Sequence, residues 1–372
     1  MTPSQANTAG IDPLLRELWD QEGSDLLITA GAPPLVRING DLWPVGDHGP
    51  MSPEDTERLI LGLLSDNVRE EFLHSKEADF AFSWRDLTRM RGNVFYQRGA
   101  MSMALRVIPF RIPSFTELGL PPLMEWFCGL TQGLVLVTGP TGSGKSTTQA
   151  SMIDYINATR RLHILTLEDP VEYVHQHRLS AVNQREVGFD TASFARGLRA
   201  ALREDPDVVL VGEMRDPESI QTALTIAETG HLVFATLHTN DASTALDRIV
   251  DVFPSERQAQ IRVQLAASLA GVVAQRLVPR IEGGLVAAFE ILLASPAAKS
   301  LIREGKTHQI RNVIAQSLRD GMQTLEASLS ALVARGIISY DDAVNRAVNP
   351  REVRQPATRY PTEHNPTVAA HP

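Results

Sequence analysis

GLVLVTGPTGSGKST, Gly133 to Thr147, runs from apolar residues through a glycine-rich turn into what reads as the first turn of a helix. Its last nine residues match G-x-x-x-x-G-K-[ST], which average residue frequencies give by chance in a chain of this length on the order of once in a hundred. An apolar strand before the pattern and a helix after it are the context a phosphate-binding loop requires. The residue types suit that chemistry. Gly139, Gly142 and Gly144, with Pro140, Thr141 and Ser143 between them, let backbone N–H groups converge on a β-phosphate, and the helix N-terminus adds partial positive charge. Lys145 is expected to reach the β- and γ-phosphates, the Ser146 hydroxyl to hold Mg²⁺, and Thr147 to contact the α-phosphate side. ATP and Mg²⁺ are the expected ligands.

From Gly133 onward apolar strands alternate with helices: GLVLVTG, KSTTQASMIDYINATR, LHILTLE, SFARGLRAALRED, VVLVGE, PESIQTALTIAETG and HLVFATLH. This order predicts an α/β fold, a mostly parallel sheet covered by helices. In such a sheet the ligand crevice lies beyond the C-terminal ends of the strands. LHILTLEDPVEYVH, 162 to 175, sets Glu168 there, followed by Asp169 and Glu172; VVLVGEMRD, 208 to 216, meets Gly212 before Glu213. Glu168, the first acid beyond its apolar run, is the expected base for the attacking water. Glu213 is expected to hold the metal's water shell or that water, while Asp169 and Glu172 read equally well as helix caps or solvated acids. GHLVFATLHTNDA, 230 to 242, brackets a strand with His231 and His238, seven residues apart. An odd spacing turns the two side chains to opposite faces, which argues against a shared zinc ion. His238, at the crevice end, is the expected γ-phosphate contact, with His231 as the second candidate.

Phosphoryl transfer calls for positive charge beside the γ-phosphate, and an arginine there is worth roughly 10³ to 10⁵ in rate. Arg91, Arg98 and Arg106 are candidates from the early part of the chain. Arg196, Arg199 and Arg203 share one face of the helix expected over 193–204. A ring of subunits would give both clusters a use. Residues 1–110 mix helical and alternating segments, ending in a strand pair around Gly99, and read as a small α+β domain. The stretch 111–122 reads as a linker, 123–348 as the second domain, and 349–372 as a polar tail without a core. Beyond Asp241 the second domain reads as largely helical, with SERQAQIRVQLAASLAGVVAQRL, 255 to 277, as one long amphipathic stretch.

A net charge of −9 opposes a phosphate backbone, so nucleic acid is not an expected partner. One cysteine, Cys128, excludes an intramolecular disulfide and a tetracysteine zinc site. No window approaches 18 apolar residues, and the opening MTPSQANTAGIDPLL lacks a basic flank and an apolar core, which predicts a cytoplasmic protein.

Taken together, GPTGSGKSTT, LTLEDPVEYVH, VVLVGEMRDPESIQTAL and GHLVFATLHTNDA, with the early SDLLITAGAPPLVRING and the late LIREGKTHQI and GMQTLEASL, resemble the type IV pilus retraction ATPases of the secretion ATPase superfamily. The resemblance runs over about residues 11–345. It implies a cytoplasmic homohexamer whose subunits join a PAS-like N-terminal domain to a RecA-like ATPase domain, with ATP bound between them. It further implies docking at the inner face of the cytoplasmic membrane on the platform protein of the pilus machine, and disassembly of pilin, with an accessory retraction ATPase as a possible companion. By the same resemblance Glu168 lies in the Asp box, Glu213 in the Walker B segment, and His231 and His238 in the His box. Arg91 and Arg106 correspond to arginines that approach the nucleotide, and LIREGK, 301–306, to a motif serving retraction rather than hydrolysis. Leu27 stands where such proteins usually carry His. The N-terminal extension and tetracysteine region of pilus extension ATPases are missing, which favours retraction. The rival readings are a non-catalytic accessory paralogue and a DNA-translocating RecA-type motor.

Overall fold

A computed structural model describes residues 8–38, 40–85, 87–108 and 111–355. The chain divides into two units, Met1–Ile112 with Val171–Gln176, and Pro113–Pro170 with His177–Pro372.

In the first unit α1 (Asp12–Asp20) carries Pro13 in its first turn and buries Leu14, Leu15 and Leu18 along one stripe. Strands β1 (Asp25–Ile28), β2 (Leu35–Ile38) and β3 (Asp41–Pro44) follow. Helix α2 (Pro53–Leu63) is capped by Ser52, whose hydroxyl accepts from the Asp55 N–H at 3.1 Å. After α3 (Asp66–Ser75) comes β4 (Glu77–Trp84), in which Ala78, Phe80, Phe82 and Trp84 point inward in strict alternation. Strands β5 (Thr88–Gln97) and β6 (Ala100–Ile108) are joined by Arg98 and Gly99 alone, at φ 51° and 81°. That two-residue, left-handed turn matches the twist of the flanking strands. Arg98 is thus the corner of a hairpin. The sheet is antiparallel, in the order β3-β2-β1-β6-β5-β4.

The second unit opens with α4 (Phe115–Leu118), one turn inside the stretch read as a linker, closed by reciprocal Ser114–Glu117 hydrogen bonds. There follow α5 (Leu123–Gly129), β7 (Gly133–Thr138), α6 (Lys145–Thr159), β8 (His163–Glu168), β9 (Ala181–Glu186), α7 (Phe194–Ala201), β10 (Val208–Val211), α8 (Pro217–Glu228) and β11 (Leu232–Leu237). Then come α9 (Ala242–Asp251), α10 (Ser255–Ser268), β12 (Leu269–Pro279), β13 (Leu285–Leu293), α11 (Pro296–Arg303), α12 (Ile310–Gln316), α13 (Leu325–Ala334) and α14 (Tyr340–Arg346). The sheet runs β13-β12-β7-β11-β10-β8-β9, parallel except for β13. Every residue of β7, β10 and β11 is buried, as continuous apolar runs covered on both faces should be. Cys128 is fully buried, and burial pushes its thiol far above the usual range.

Two expectations are corrected. The amphipathic stretch read over 255–277 is a helix only to Ser268, after which Leu269–Pro279 forms β12 beside β7. An Ala, Leu and Val run satisfies both periodicities, so the turn into a strand leaves no periodic trace. The helix expected over 193–204 ends at Ala201, leaving Arg203 beyond it, and Arg199 pairs with Glu218 at 2.9 Å. Of the expected tail, Pro350–Glu352 forms a 3₁₀ turn, and residues 356–372 lie outside the described residues. Among the described residues no helix is long and apolar enough to cross a membrane.

Candidate functional site

The glycine-rich loop connects β7 to α6, with Gly144 as the N-cap of the helix at φ 85°. A side chain is strained at that angle, and glycine lets the chain turn into the helix with its first N–H groups facing the loop's hollow. Lys145 is 8% exposed, and its ammonium donates to the Gly139 carbonyl at 2.9 Å and the Pro140 carbonyl at 3.1 Å. Ser146 and Thr147 follow in the first helical turn. The Ser143 hydroxyl is buried without a hydrogen-bond partner. Beside Gly144, Thr147 and Thr148 opens a cavity of about 360 Å³, walled by Leu277 and Leu332 and edged by Arg335.

The strand ends next to the loop carry the expected side chains. Thr138 of β7 pairs with Leu237 of β11, Ala235 of β11 with Val211 of β10, and Val211 with Leu167 of β8. One edge therefore presents, in order, the loop at Gly139, then His238, Glu213 and Glu168. With neighbouring strands about 4.8 Å apart, Glu213 stands roughly 10 Å and Glu168 roughly 14 Å along the edge from the loop's own strand. Thr138 ties the first two together: its hydroxyl accepts from the Thr239 N–H at 3.1 Å.

Glu213 is bound on two sides. Arg215 forks onto both carboxylate oxygens, one at 2.6 Å, and His238 Nε2 lies 3.1 Å from Oε1. Burial would raise its pKa, but Arg215 and His238 outweigh burial and hold the carboxyl below its usual range. Glu213 is consequently an anion at neutral pH and a weak proton acceptor. Glu168 is oriented differently, its Oε1 accepting from the Thr166 hydroxyl at 2.6 Å and the Gln184 amide at 3.1 Å. Gly212 explains why an acid does not end β10. Its N–H donates to the Leu167 carbonyl at 2.7 Å, and a side chain there would stand 3.2 Å from both that carbonyl oxygen and the Glu168 Cα.

Other candidates lie elsewhere. His231 is at the start of β11, where its Nδ1 meets the Ile226 carbonyl at 3.0 Å, at the edge of the sheet opposite His238. Arg91 and Arg106 belong to the first unit and oppose each other across β5 and β6. Like charges so placed repel. Asp25 offsets this, accepting from Arg106 Nε at 2.7 Å. Asp216 and Asp241 cap α8 and α9.

The family described as Type II/IV secretion system protein matches residues 122–284. The type IV pilus retraction ATPase PilT of Pseudomonas aeruginosa is 47% identical over 91% of this chain and 98% of its own. The chain belongs to the PilT family. The type IV pilus ATPase PilU of the same organism is 43% identical over 92% of this chain and 90% of its own. A crystal structure of the pilus retraction motor PilT with bound ADP superposes with a TM-score of 0.86 at 50% identity, covering 91% of this chain and 97% of that one. As a PilT-family member the chain is an ATP-hydrolysing enzyme of mixed α/β fold with a parallel sheet.

The contact at Gly212 makes a prediction for this PilT-family site. In Gly212→Ala the added methyl must push the end of β8 by a few tenths of an ångström, and misplaced catalytic groups lose rate steeply. Steady-state hydrolysis should fall about tenfold while ADP titration gives an affinity within about twofold of wild type. Sequence reasoning missed Thr166, Gln184, Thr138 and Thr239. Thr166 was accessible, since positions two apart on a strand share a face and Glu168 was already in hand.

Proposed function

We propose that this chain is a cytoplasmic, hexameric motor that hydrolyses ATP to drive disassembly and retraction of type IV pili. The observation that carries it is the single sheet edge on which the Lys145 loop, His238, Glu213 and Glu168 stand in sequence. In this reading Gly139 to Thr147 cradle the phosphates, Lys145 takes the β- and γ-phosphates, and His238 meets the γ-phosphate. Glu168 accepts the proton of the attacking water, because both carboxylate oxygens of Glu213 are already engaged by Arg215 and His238. The apolar cavity beside Thr147 and Thr148 takes the base, with Arg335 at its edge.

The orphaned Ser143 hydroxyl is a buried donor that an anion would satisfy, and the hydroxyl of Ser146 with the carboxylate of Glu213 are the hard oxygen groups that suit Mg²⁺. Ser146 would hold the ion and Glu213 its water shell. The bound ion would neutralise charge on the phosphates. Arg91 and Arg106 are the first unit's candidates for a nucleotide contact, and His231 is the weaker candidate, given its place at the start of β11. Hydrolysis and exchange change the angle between a subunit's two domains, and the ring turns that change into force on the platform protein at the inner face of the cytoplasmic membrane.

Deleting the gene and scoring pilus number and surface motility tests this. Many pili with no movement is the expected result, and bald cells would overturn it. The 43% identity to PilU keeps a second reading, an accessory paralogue working beside an active retraction ring. Hydrolysis by the purified protein is expected under both, and retraction restored by this chain in a strain that carries no other retraction ATPase decides in favour of the motor. Stimulation of that hydrolysis by DNA would instead point to translocation of nucleic acid, against the charge of −9.

A further inference from the structure

Gln275 lies within β12, is 2% exposed, and has a side chain whose amide faces no solvent. A buried amide needs partners for both its donor and its acceptor. Both are supplied by the nucleotide loop and the helix it opens: Nε2 donates to the Ser143 carbonyl at 2.7 Å, and Oε1 accepts from the Thr148 hydroxyl at 2.8 Å. Main chain and side chain of this residue also shape the loop's two ends. A side chain on Gly139 would strike the Gln275 carbonyl oxygen, and one on Gly144 would come within 2.9 Å of Nε2. The strand register explains the fit, because Ala274 pairs with Thr138, the last residue before the loop, and Gln275 is therefore the next residue along, directly beneath the loop.

The residue is also anchored from behind. Arg276 Nη1 donates to the Arg346 carbonyl at 2.8 Å and Arg346 Nε to the Leu277 carbonyl at 3.3 Å, so this part of β12 is tied to the end of α14. A loop of glycines has little stiffness of its own, and a donor fixed in a strand supplies it. We propose that Gln275 is a positioning residue for ATP hydrolysis, holding the phosphate loop in its binding curvature from a strand more than a hundred residues away in the chain. It touches no phosphate. Its effect is on how well the preformed loop receives one, and the proposal rests on that loop being the nucleotide site.

The test uses the full-length protein with ADP titration, steady-state hydrolysis and thermal melting. Gln275→Met keeps the volume and removes both polar functions; Gln275→Glu keeps the acceptor and removes the donor while ionised. Each should weaken ADP binding and raise the KM for ATP about tenfold, with kcat within about twofold, because ground state and transition state lose the same interaction. For Gln275→Glu the ADP deficit should shrink as pH falls from 8 toward 6, since a protonated carboxyl can again donate to the Ser143 carbonyl. A residue that only supports the fold would lower the melting temperature and leave this affinity split and pH profile unmoved. Wild-type affinity in both variants overturns the proposal. Should Gln275→Met fail to fold, Thr148→Val takes its place, with about a threefold loss of ADP affinity expected and none overturning. Absence of ADP binding by the wild-type protein would instead overturn the nucleotide reading itself.

Discussion

A Glu168→Gln protein should bind ADP as the parent does and hydrolyse ATP at about one hundredth of the parental rate or less. The amide keeps the shape of the carboxylate, and its oxygen still accepts from Thr166 and Gln184, so the strand end stays in place. What disappears is the proton acceptor, and removing a positioned general base costs on the order of 10² to 10⁴ in rate. Glu213 does not substitute. Its carboxylate is held by Arg215 and His238 in a state that resists protonation. Single-turnover hydrolysis at the parental rate in the Glu168→Gln protein would move the base elsewhere, with Glu213 as the next residue to test.

Lys145→Ala should abolish hydrolysis and weaken binding of both ATP and ADP by at least about 10²-fold. The ammonium is buried in the loop, where a charge-assisted hydrogen bond counts for about twice a neutral one. Its loss removes the only side-chain cation of the nine-residue loop. Calorimetric titration with ADP reads the effect, and a melting temperature near that of the parent shows that the fold survives. Nucleotide affinity at the parental level would mean that the phosphates sit somewhere other than this loop.

The parts of this site that were legible in the sequence are those where a strand hands over to a polar residue. GLVLVT before Gly139, HILTLE ending in Glu168 and LVFATL before His238 each announce a strand and its exit together. Gly212 was legible only as an oddity, because its reason is the backbone of a neighbouring strand. The same blindness to lateral neighbours hid Gln275, whose partners lie 132 and 127 residues earlier. It also hid β12 itself: the strand follows its helix directly, with only Ser268 and Gly271 at the junction, and no proline or turn separates the two. For the arginines the pattern was suggestive without being spatial. A glycine beside Arg98 makes a hairpin corner, and Arg203 falls two residues past the end of its helix.

The position of β12 bears on how the protein is made. β7 is among the earliest strands of its sheet to leave the ribosome, yet one of its two flanks is formed by residues 269–274. Until those residues emerge, a mostly apolar strand carries an uncovered row of backbone donors and acceptors, the kind of edge on which chains stick to one another. A message broken before codon 269 would therefore yield an aggregating fragment, with its phosphate loop lacking the residue that shapes it. Such fragments could not enter a ring as half-working subunits, and quality control would meet them as insoluble chains.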